Sequence, residues 1–243
     1  MRIKICGLFR DEDIDFINEA RPDYIGFVFT KSPRQISTAL AQFVRFRIAD
    51  GIVPVGVFVN APIAMITELY QNGVISIAQL HGNEDESYIT GLKRASVTSI
   101  RHHNRTPEIK VIKAIRTLNS SKILTTNQHE LEPSVHTRTK KKSLRETPSN
   151  FSCSPPWLNN IPSNADYILL DSGAGSGKTF DWDQLKSIKF SKPWFLAGGI
   201  NIKNIKQAFE LNPFAVDVSS GAETDGIKDR KKILDLVAAA RGK

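Results

Sequence analysis

Cysteines and long apolar runs are scarce in this chain. Only two cysteines, Cys6 and Cys153, occur among its 243 residues, so the sequence predicts no disulfide framework, and a reducing cytoplasm is the simplest location. No stretch approaches the roughly 20 apolar residues that span a bilayer. The first residues, MRIKICG, are typical of a strand and are not followed by the sustained apolar stretch of a signal peptide. We therefore expect a cytoplasmic protein without a membrane segment.

Basic charge is concentrated in one segment. The formal net charge is +8, yet residues 101–145 alone hold eleven Lys and Arg against three Glu, which leaves 22 basic and 22 acidic residues elsewhere. We interpret this segment as a solvated surface loop. A polybasic run can also bind polyanions without sequence preference, but we do not expect nucleic-acid binding. Its four histidines, from His102 to His136, lack the tight spacing of metal ligands, so we predict no metal site.

Short β-rich runs alternate with helical patterns along the chain. Strands are predicted at 3–6, 24–29, 53–59, 76–80, 110–115, 167–171, 194–197 and 215–218. Helices are predicted at 12–20, 38–49, 62–71, 85–94, 182–188, 202–211 and 229–240. Such alternation implies a parallel sheet with crossover helices, and eight units in about 250 residues suit a (β/α)8 barrel better than a doubly wound open sheet. The predicted fold class is α/β, a single TIM barrel over residues 1–243.

One region interrupts this alternation. Residues 130–164 are rich in Ser, Thr, Pro and Asn and contain three consecutive lysines at 140–142. A structureless loop of this length inside a compact domain counts against the assignment unless it is an insertion. We predict a loop insertion at about 130–164, between the fifth and sixth strands.

Glycine and serine residues follow the last two predicted strands. Gly198 and Gly199 follow the seventh, before a helix expected to open near residue 201, and Ser219, Ser220 and Gly221 follow the eighth. In barrels, the loops at these two positions supply the usual phosphate site through backbone N–H groups and a helix N-terminus. The glycines could instead merely turn the chain, and the serines could cap a helix. Their presence in both expected loops favours phosphate binding.

A thiol and a carboxyl group end two other strands, Cys6 the first and Asp171 the sixth. A lone buried cysteine is more often an inert core residue. Strand alternation, however, puts Lys4 and Cys6 on one face, which points into the barrel if the neighbouring isoleucines face the helices. A buried Lys4 needs a carboxylate, for which Asp217 on the adjacent eighth strand is the candidate, and the ammonium would favour a thiolate at Cys6. A thiolate base and a carboxyl acid across one mouth suit proton transfer.

The stretch DSGAGSGKTFDW, residues 171–182, shares its ingredients with a nucleotide-binding P-loop. That motif needs G-x-x-x-x-G-K-[ST], and Ser172 occupies the position of its first glycine. Asp181 and Gln184 form a capping-box pattern that starts the next helix after the GKT, whereas in a P-loop the Lys and Thr open the helix. We predict no nucleotide site, and we interpret residues 173–177 as a flap that closes over substrate.

Seven blocks of sequence, in order, resemble phosphoribosylanthranilate isomerase of tryptophan biosynthesis: KICG, GFVF…SPRQIS, VGVFVN, QLHG, LLDS…GSGKTFDW, AGGI and PFAVDVSSG. The resemblance runs from Lys4 to the last helix, with an interruption around 101–164. It implies a TIM barrel and an isomerase of the intramolecular aldose-ketose oxidoreductase type. The implied reaction is the cofactor-free Amadori rearrangement of N-(5-phosphoribosyl)anthranilate to 1-(2-carboxyphenylamino)-1-deoxy-D-ribulose 5-phosphate, by general acid and base catalysis.

The resemblance also implies roles for individual residues. It places the general base on Cys6, the general acid on Asp171 and the arginine that faces the anthranilate carboxylate on Arg34. The phosphate loops fall on the same two segments, 198–199 and 219–221. Asp171 must be protonated when substrate binds, so its pKa should be raised by partial burial. Without the resemblance, Arg34 would be interpreted as a solvated loop charge.

Several alternatives stay open at this point. His81, at the end of the fourth strand, could line the substrate pocket or cap the strand. The sister isomerase of histidine biosynthesis shares the fold and the rearrangement, but it would carry a carboxylate in place of Cys6, a second phosphate site and a half-barrel repeat, and none of these is visible. A non-catalytic barrel that binds a polyanion would not need all seven blocks. We expect a small phosphorylated substrate as partner and either a monomer or a homodimer.

Overall fold

The computed structural model of the chain describes residues 1–97, 107–116, 161–171 and 182–242, and eight strands within these ranges form a closed parallel barrel. They are β1 (Arg2–Cys6), β2 (Tyr24–Val28), β3 (Val53–Phe58), β4 (Ile77–Leu80), β5 (Lys110–Arg116), β6 (Tyr167–Asp171), β7 (Trp194–Ala197) and β8 (Ala215–Val218). Each strand pairs with its neighbours in sequence, and the pairing of β1 with β8 closes the barrel. The predicted fold class is confirmed, and every predicted strand agrees with the observed bounds to within one residue.

Helices lie around the barrel. They are α1 (Glu12–Ala20), α2 (Thr38–Arg47), α3 (Ile63–Gln71), α4 (Glu86–Ser96), α5 (Ile205–Glu210) and α6 (Arg230–Ala240). Ser37 caps the start of α2, because its hydroxyl accepts from the Leu40 N–H at 3.2 Å. The last helix, α6, packs on α1, so the helical layer closes where the sheet closes. No helix in the described part of the chain is long and apolar enough to cross a membrane.

Strand alternation divides the core into two layers. Outward-facing side chains, such as Ile3 and Ile5, pack with the helices in one large buried cluster. Inward-facing side chains, such as Phe195, form a second cluster inside the barrel. Each fully buried Ile or Phe contributes roughly 1.5–3 kcal/mol. Because they alternate with the two isoleucines, Lys4 and Cys6 belong to the inner face, as the alternation predicted.

Two predicted helices differ from the structure. The segment after the predicted flap is a 3-10 helix, Trp182–Ser187. The helix predicted at 202–211 is shorter and begins at Ile205, so the expected opening near residue 201 is wrong. Asn201 and Asn204 form a turn there instead: Asn204 Oδ1 accepts from the Asn201 N–H at 2.8 Å, and Asn201 Oδ1 accepts from the Lys203 N–H at 2.9 Å. The Ile205 N–H also donates to the Asn201 carbonyl at 3.0 Å, so these bonds cap the chain at Asn201 and a single turn leads directly into α5.

A hairpin that the sequence analysis did not predict follows β8. Its strands, β9 (Glu223–Thr224) and β10 (Ile227–Lys228), pair antiparallel across a two-residue turn. Asp225 and Gly226 at the turn have φ values of 51° and 79°. Positive φ at both central residues is typical of a type I′ turn, for which Asp-Gly is a preferred dipeptide. The sequence therefore contained a signal for this hairpin.

Some predictions concern residues outside the described ranges. These are most of the insertion, up to residue 160, the flap at 173–177, Cys153, and the histidines from His102 to His136. Within the described ranges, no three His, Cys, Asp or Glu side chains are grouped so that they could hold a metal ion. The predicted absence of a metal site stays a prediction.

Candidate active site

The Lys4 ammonium lies inside the barrel and is fully buried. Its three N–H groups meet three acceptors: Gln79 Oε1 at 2.8 Å, Asp217 Oδ2 at 2.9 Å and Cys6 Sγ at 3.3 Å. Lys4 and Asp217 form an ion pair between neighbouring strands because the β1–β8 register places them side by side. An ammonium has three donors and no acceptor, so these partners saturate it. Asp217 is the partner expected from the sequence, whereas Gln79 was missed.

The pKa of the Cys6 thiol is raised above its ordinary value of 9.0. Burial is the largest cause, since it disfavours the charged thiolate. Lys4 lowers the pKa by attraction and by its hydrogen bond, Asp217 raises it by repulsion, and Lys228 lowers it. The expectation that an ammonium favours the thiolate thus holds for Lys4 by itself, but burial and Asp217 together outweigh it. The balance favours the thiol over the thiolate.

Two glycines shape the space around Cys6. A Cβ on Gly26 of β2 would lie 2.5 Å from Cys6 Sγ, so a larger residue would displace the sulfur. Gly7 has a φ of +84°, and a Cβ there would lie 2.6 Å from Arg34 Cδ. Glycine adopts this backbone conformation without strain and leaves room for the arginine. Arg34 is thereby packed against the residue that follows the thiol.

Asp171 ends β6 at the same mouth and is buried. His81 Nε2 lies 3.2 Å from Asp171 Oδ2, within range of a direct interaction with the carboxyl group. The backbone N–H of His81 donates to the Phe58 carbonyl at 2.8 Å, and this bond fixes the start of the loop after β4. The sequence left pocket lining and strand capping open for His81, and its side chain contacts the carboxyl group assigned as acid. The expected rise in the pKa of Asp171 stays a prediction.

A second buried ion pair, absent from the sequence analysis, holds the loop around His81. Lys113 Nζ on β5 lies 2.8 Å from Glu84 Oε2 and donates to the Gly82 carbonyl at 2.7 Å. Glu84 accepts from the backbone N–H of Gly82 at 2.9 Å and of Asn60 at 2.6 Å. Burial by itself would raise the pKa of Glu84, but the hydrogen bonds from Lys113 and from the Asn60 N–H, together with the lysine charge, outweigh it and lower the pKa. The pair ties the loops after β3 and β4 to β5.

The two loops assigned to phosphate lie in contact. A Cβ on Gly221 would lie 1.9 Å from the Ile200 carbonyl oxygen, so any residue larger than glycine would clash with the backbone there. Gly198 and Gly199 have φ values of 92° and 64°, in the left-handed region that favours glycine. Ser219 Oγ donates to the Cys6 carbonyl at 3.3 Å and so connects this face to β1. The helix N-terminus expected directly after the glycines lies further along the chain, and phosphate binding stays a prediction.

Arg34 pairs with Glu223, a residue that the sequence analysis missed. Arg34 Nε donates to Glu223 Oε1 and Nη2 donates to Oε2, both at 2.6 Å. Lys228 also contacts Glu223 and donates to the Ser219 carbonyl at 3.3 Å. Burial by itself would raise the pKa of Glu223, but the hydrogen bonds and charges of Arg34 and Lys228 outweigh it and lower the pKa. Both new residues lie on the hairpin of β9 and β10, which the Asp-Gly dipeptide could have indicated.

This chain is similar in sequence to proteins of one described family. A profile of the family described as N-(5'phosphoribosyl)anthranilate (PRA) isomerase matches residues 3–128 and 153–239. The N-(5'-phosphoribosyl)anthranilate isomerase of Endomicrobium trichonymphae is 39% identical over 246 residues, which cover 99% of this chain and 98% of that protein. The profile includes the positions of Cys6, Arg34 and Asp171.

Two solved structures are similar over the whole chain. One is phosphoribosyl anthranilate isomerase in complex with reduced 1-(o-carboxyphenylamino)-1-deoxyribulose 5-phosphate, with 28% identity, a TM-score of 0.68 and 100% of both chains covered. The other shows generated monomers of the dimeric phosphoribosylanthranilate isomerase from Thermotoga maritima, with 27% identity, a TM-score of 0.66 and 100% of both chains covered. The profile match over most of the chain and the full-length relatives show the family: this chain is an isomerase and belongs to the N-(5'-phosphoribosyl)anthranilate isomerase family.

Proposed function

We propose that Cys6 and Asp171 carry out the proton transfers by which this isomerase converts N-(5-phosphoribosyl)anthranilate into 1-(2-carboxyphenylamino)-1-deoxy-D-ribulose 5-phosphate, a step of tryptophan biosynthesis. One observation supports these roles above the others. A buried thiol and a buried carboxyl group end β1 and β6, and each has a polar side chain within 3.3 Å, Lys4 beside Cys6 and His81 beside Asp171. One base and one acid at a single mouth suffice for an aldose-ketose rearrangement.

Asp171 is the proposed general acid. Its carboxyl group gives a proton to the furanose ring oxygen, the bond from that oxygen to the anomeric carbon breaks, and the sugar opens to a Schiff base. A carboxyl group that is still protonated near neutral pH needs a raised pKa, which burial favours. His81 lines the pocket and orients the carboxyl group through its contact at 3.2 Å.

Cys6 is the proposed general base. Its thiolate takes the proton from C2′ of the Schiff base, and the resulting enolamine tautomerises to the ketone. Lys4 stabilises the thiolate from 3.3 Å, while Asp217 and Gln79 hold the ammonium in place. Since burial raises the pKa of Cys6, higher pH favours the reactive form, and the thiolate is a stronger base once formed.

The remaining groups bind the substrate. Arg34 faces the anthranilate carboxylate, because a planar guanidinium matches two carboxylate oxygens better than an ammonium does. The loops 198–199 and 219–221 hold the phosphate through backbone N–H groups. The rearrangement relocates hydrogen within one molecule, so these acid, base and binding groups need no cofactor.

Domain organisation, assembly and location belong to the same proposal. The chain is one barrel domain with an insertion between β5 and β6. The Thermotoga maritima relative is described as dimeric, which makes a homodimer the state to test first against a monomer. The scarcity of cysteine supports the cytoplasm as the location.

Turnover can be followed by the loss of anthranilate fluorescence from freshly made N-(5-phosphoribosyl)anthranilate. We expect rapid loss with the wild type and rates about 10²–10⁴-fold lower in Cys6→Ala and Asp171→Asn. Cys153→Ala, which removes the other cysteine, is the control and should react like the wild type. A folded wild type without turnover would refute the proposed function. Normal turnover by Cys6→Ala would refute only the role of that thiol.

A further inference from the structure

The guanidinium of Arg34 is held before any substrate arrives. Glu223 contacts it along one side, through Nε and Nη2, at two equal distances of 2.6 Å. The Glu223 side chain is 3% exposed, whereas that of Arg34 is 28% exposed. Two parallel hydrogen bonds between planar groups fix both the position and the plane of the guanidinium. The buried carboxylate is therefore the fixed partner, and the arginine is the partner that reaches solvent.

The hairpin that carries Glu223 is itself well anchored. Arg10 donates to the Lys228 carbonyl at 3.0 Å, and Lys232 donates to the Glu223 carbonyl at 2.6 Å. The Lys228 ammonium is buried between the Glu223 carboxylate and the Ser219 carbonyl. Residues anchored on rigid elements hold a binding group more accurately than residues on free loops.

Arg34, Glu223 and Lys228 form a cluster of two positive charges and one negative charge. Glu223 by itself would neutralise Arg34 and remove its attraction for an anionic ligand. Lys228 contacts the same carboxylate and restores a net charge of one positive unit. The cluster thus keeps both a fixed arginine and an excess of positive charge.

One edge of the guanidinium is not used by this pair. Arginine has five N–H donors, and Glu223 takes the one on Nε and one on Nη2. The end edge, formed by Nη1 and the second hydrogen of Nη2, offers two further parallel donors, which match a second carboxylate. The stem of the same side chain packs on Gly7, the residue after the thiol. This packing places the Arg34 side chain beside the end of the strand that carries Cys6.

We propose that Glu223 is a positioning residue for recognition of the aryl carboxylate. It orients the end edge of Arg34 toward the ligand, and Lys228 offsets the charge that Glu223 adds. This inference rests on the proposed function, in which Arg34 faces the anthranilate carboxylate. It assigns the specificity for a carboxylated ring to three residues, of which two lie on the hairpin after β8.

The test compares two ligands that differ only in the carboxylate. One is reduced 1-(o-carboxyphenylamino)-1-deoxyribulose 5-phosphate, and the other is the same compound with an unsubstituted phenyl ring. The ratio of their dissociation constants, measured by calorimetry, reports carboxylate recognition, while general damage to the fold or to the phosphate loops changes both constants together. The decisive variant combines Glu223→Gln with Lys228→Met, because it removes one negative and one positive charge and leaves the net charge of the cluster unchanged.

We expect the preference for the carboxylated ligand to fall about 10-fold in the double variant, since Arg34 must then be ordered during binding. Glu19→Gln is the matched control: Glu19 pairs with Arg230 through the same guanidinium atoms on the outer surface, and its loss should leave the ratio unchanged. Glu223→Gln alone also discriminates. A positioning role lowers the preference, whereas a role limited to charge neutralisation raises it, because the cluster then carries two positive charges.

A wild-type ratio in the double variant would overturn the inference. If that variant loses both ligands, Glu223→Asp replaces it, since it keeps the charge but is one methylene too short to keep both contacts; a wild-type ratio there overturns the inference equally. A wild-type protein that binds both ligands with equal affinity would instead refute the proposed function at Arg34. The two failures are therefore distinguishable.

Discussion

Replacing Asp217 by asparagine should move the rise of kcat/KM with pH to lower pH, and replacing Lys4 by methionine should move it to higher pH. Cys6 acts as a thiolate in the proposed mechanism, so kcat/KM rises as the pH passes upward through the pKa of Cys6 in the free enzyme. That pKa lies above 9.0 because burial raises it. Asp217 raises it further by repulsion and Lys4 lowers it by attraction, so removing each charge has the opposite consequence.

The distances around Lys4 set the size of each change. Lys4 Nζ lies 3.3 Å from Cys6 Sγ in a fully buried site, and an opposite charge this close changes a pKa by about 1–3 units. Lys4→Met should therefore lower kcat/KM by about 10- to 1,000-fold at a fixed pH below the pKa. Asp217 affects the sulfur less than Lys4 does, so Asp217→Asn should move the profile by about one pH unit. Asparagine keeps an oxygen acceptor for the ammonium, which preserves the local geometry.

The assay is kcat/KM from the loss of anthranilate fluorescence, measured from about pH 6 to pH 10. Asp235→Asn is the control, because it makes the same substitution at an exposed carboxylate that pairs with Lys231 on the surface of α6. Thermal unfolding of each variant shows whether the barrel is intact. Shifts of the same sign in both variants, or no shift relative to Asp235→Asn, would refute the reasoning, since Cys6 would then not be the group whose ionisation limits the reaction.

Two further substitutions test the surroundings of the site. Glu84→Gln should lower the free energy of unfolding by about 3–5 kcal/mol at neutral pH, because the buried Lys113 loses its counter-ion. The pKa of Glu84 in the folded protein lies below its ordinary value of 4.5, so Glu84 stabilises the fold fully above pH 4.5, and this stabilisation is lost as the pH falls through the lowered pKa. Urea unfolding at a series of pH values should therefore show the stabilities of the wild type and Glu84→Gln converging in acid. A difference in stability that does not change with pH would contradict this. Gly221→Ala should reduce kcat/KM by about 10²-fold by forcing apart the two loops that meet at the Ile200 carbonyl. Inorganic phosphate should inhibit this variant more weakly than the wild type, and equal inhibition would place the phosphate elsewhere.

Local patterns in the sequence were sufficient to predict the barrel architecture. A strand buried on both faces appears as a short apolar run, and eight such runs separated by helical patterns leave few arrangements other than a closed parallel barrel. The same logic identified Cys6 and Asp171, because the carboxyl ends of barrel strands meet at one mouth. The predicted start of α5 was wrong, because residues 201–204 form a capped turn ahead of the helix.

The residues that contact the site residues were harder to predict from the sequence. The sequence indicated Asp217 for Lys4 only because barrel closure makes their strands adjacent. Glu223 lies 189 positions from Arg34, and Gln79 lies 75 positions from Lys4, so no local spacing connects them. An Asp-Gly dipeptide indicates the hairpin that carries Glu223, but it does not indicate that Glu223 pairs with Arg34.

The sequence by itself determined the barrel, the strand ends that carry the acid and the base, and the family. These features depend on periodicity and on residue identity at single positions, both of which can be read along the chain. The tertiary structure alone decided the direction in which the pKa of Cys6 is shifted and the orientation of Arg34: burial and Asp217 outweigh Lys4 at the thiol, and Glu223 holds the guanidinium. These properties depend on electrostatic interactions between groups that only the closed barrel brings within a few ångströms of each other. The low dielectric of the interior strengthens each of these interactions.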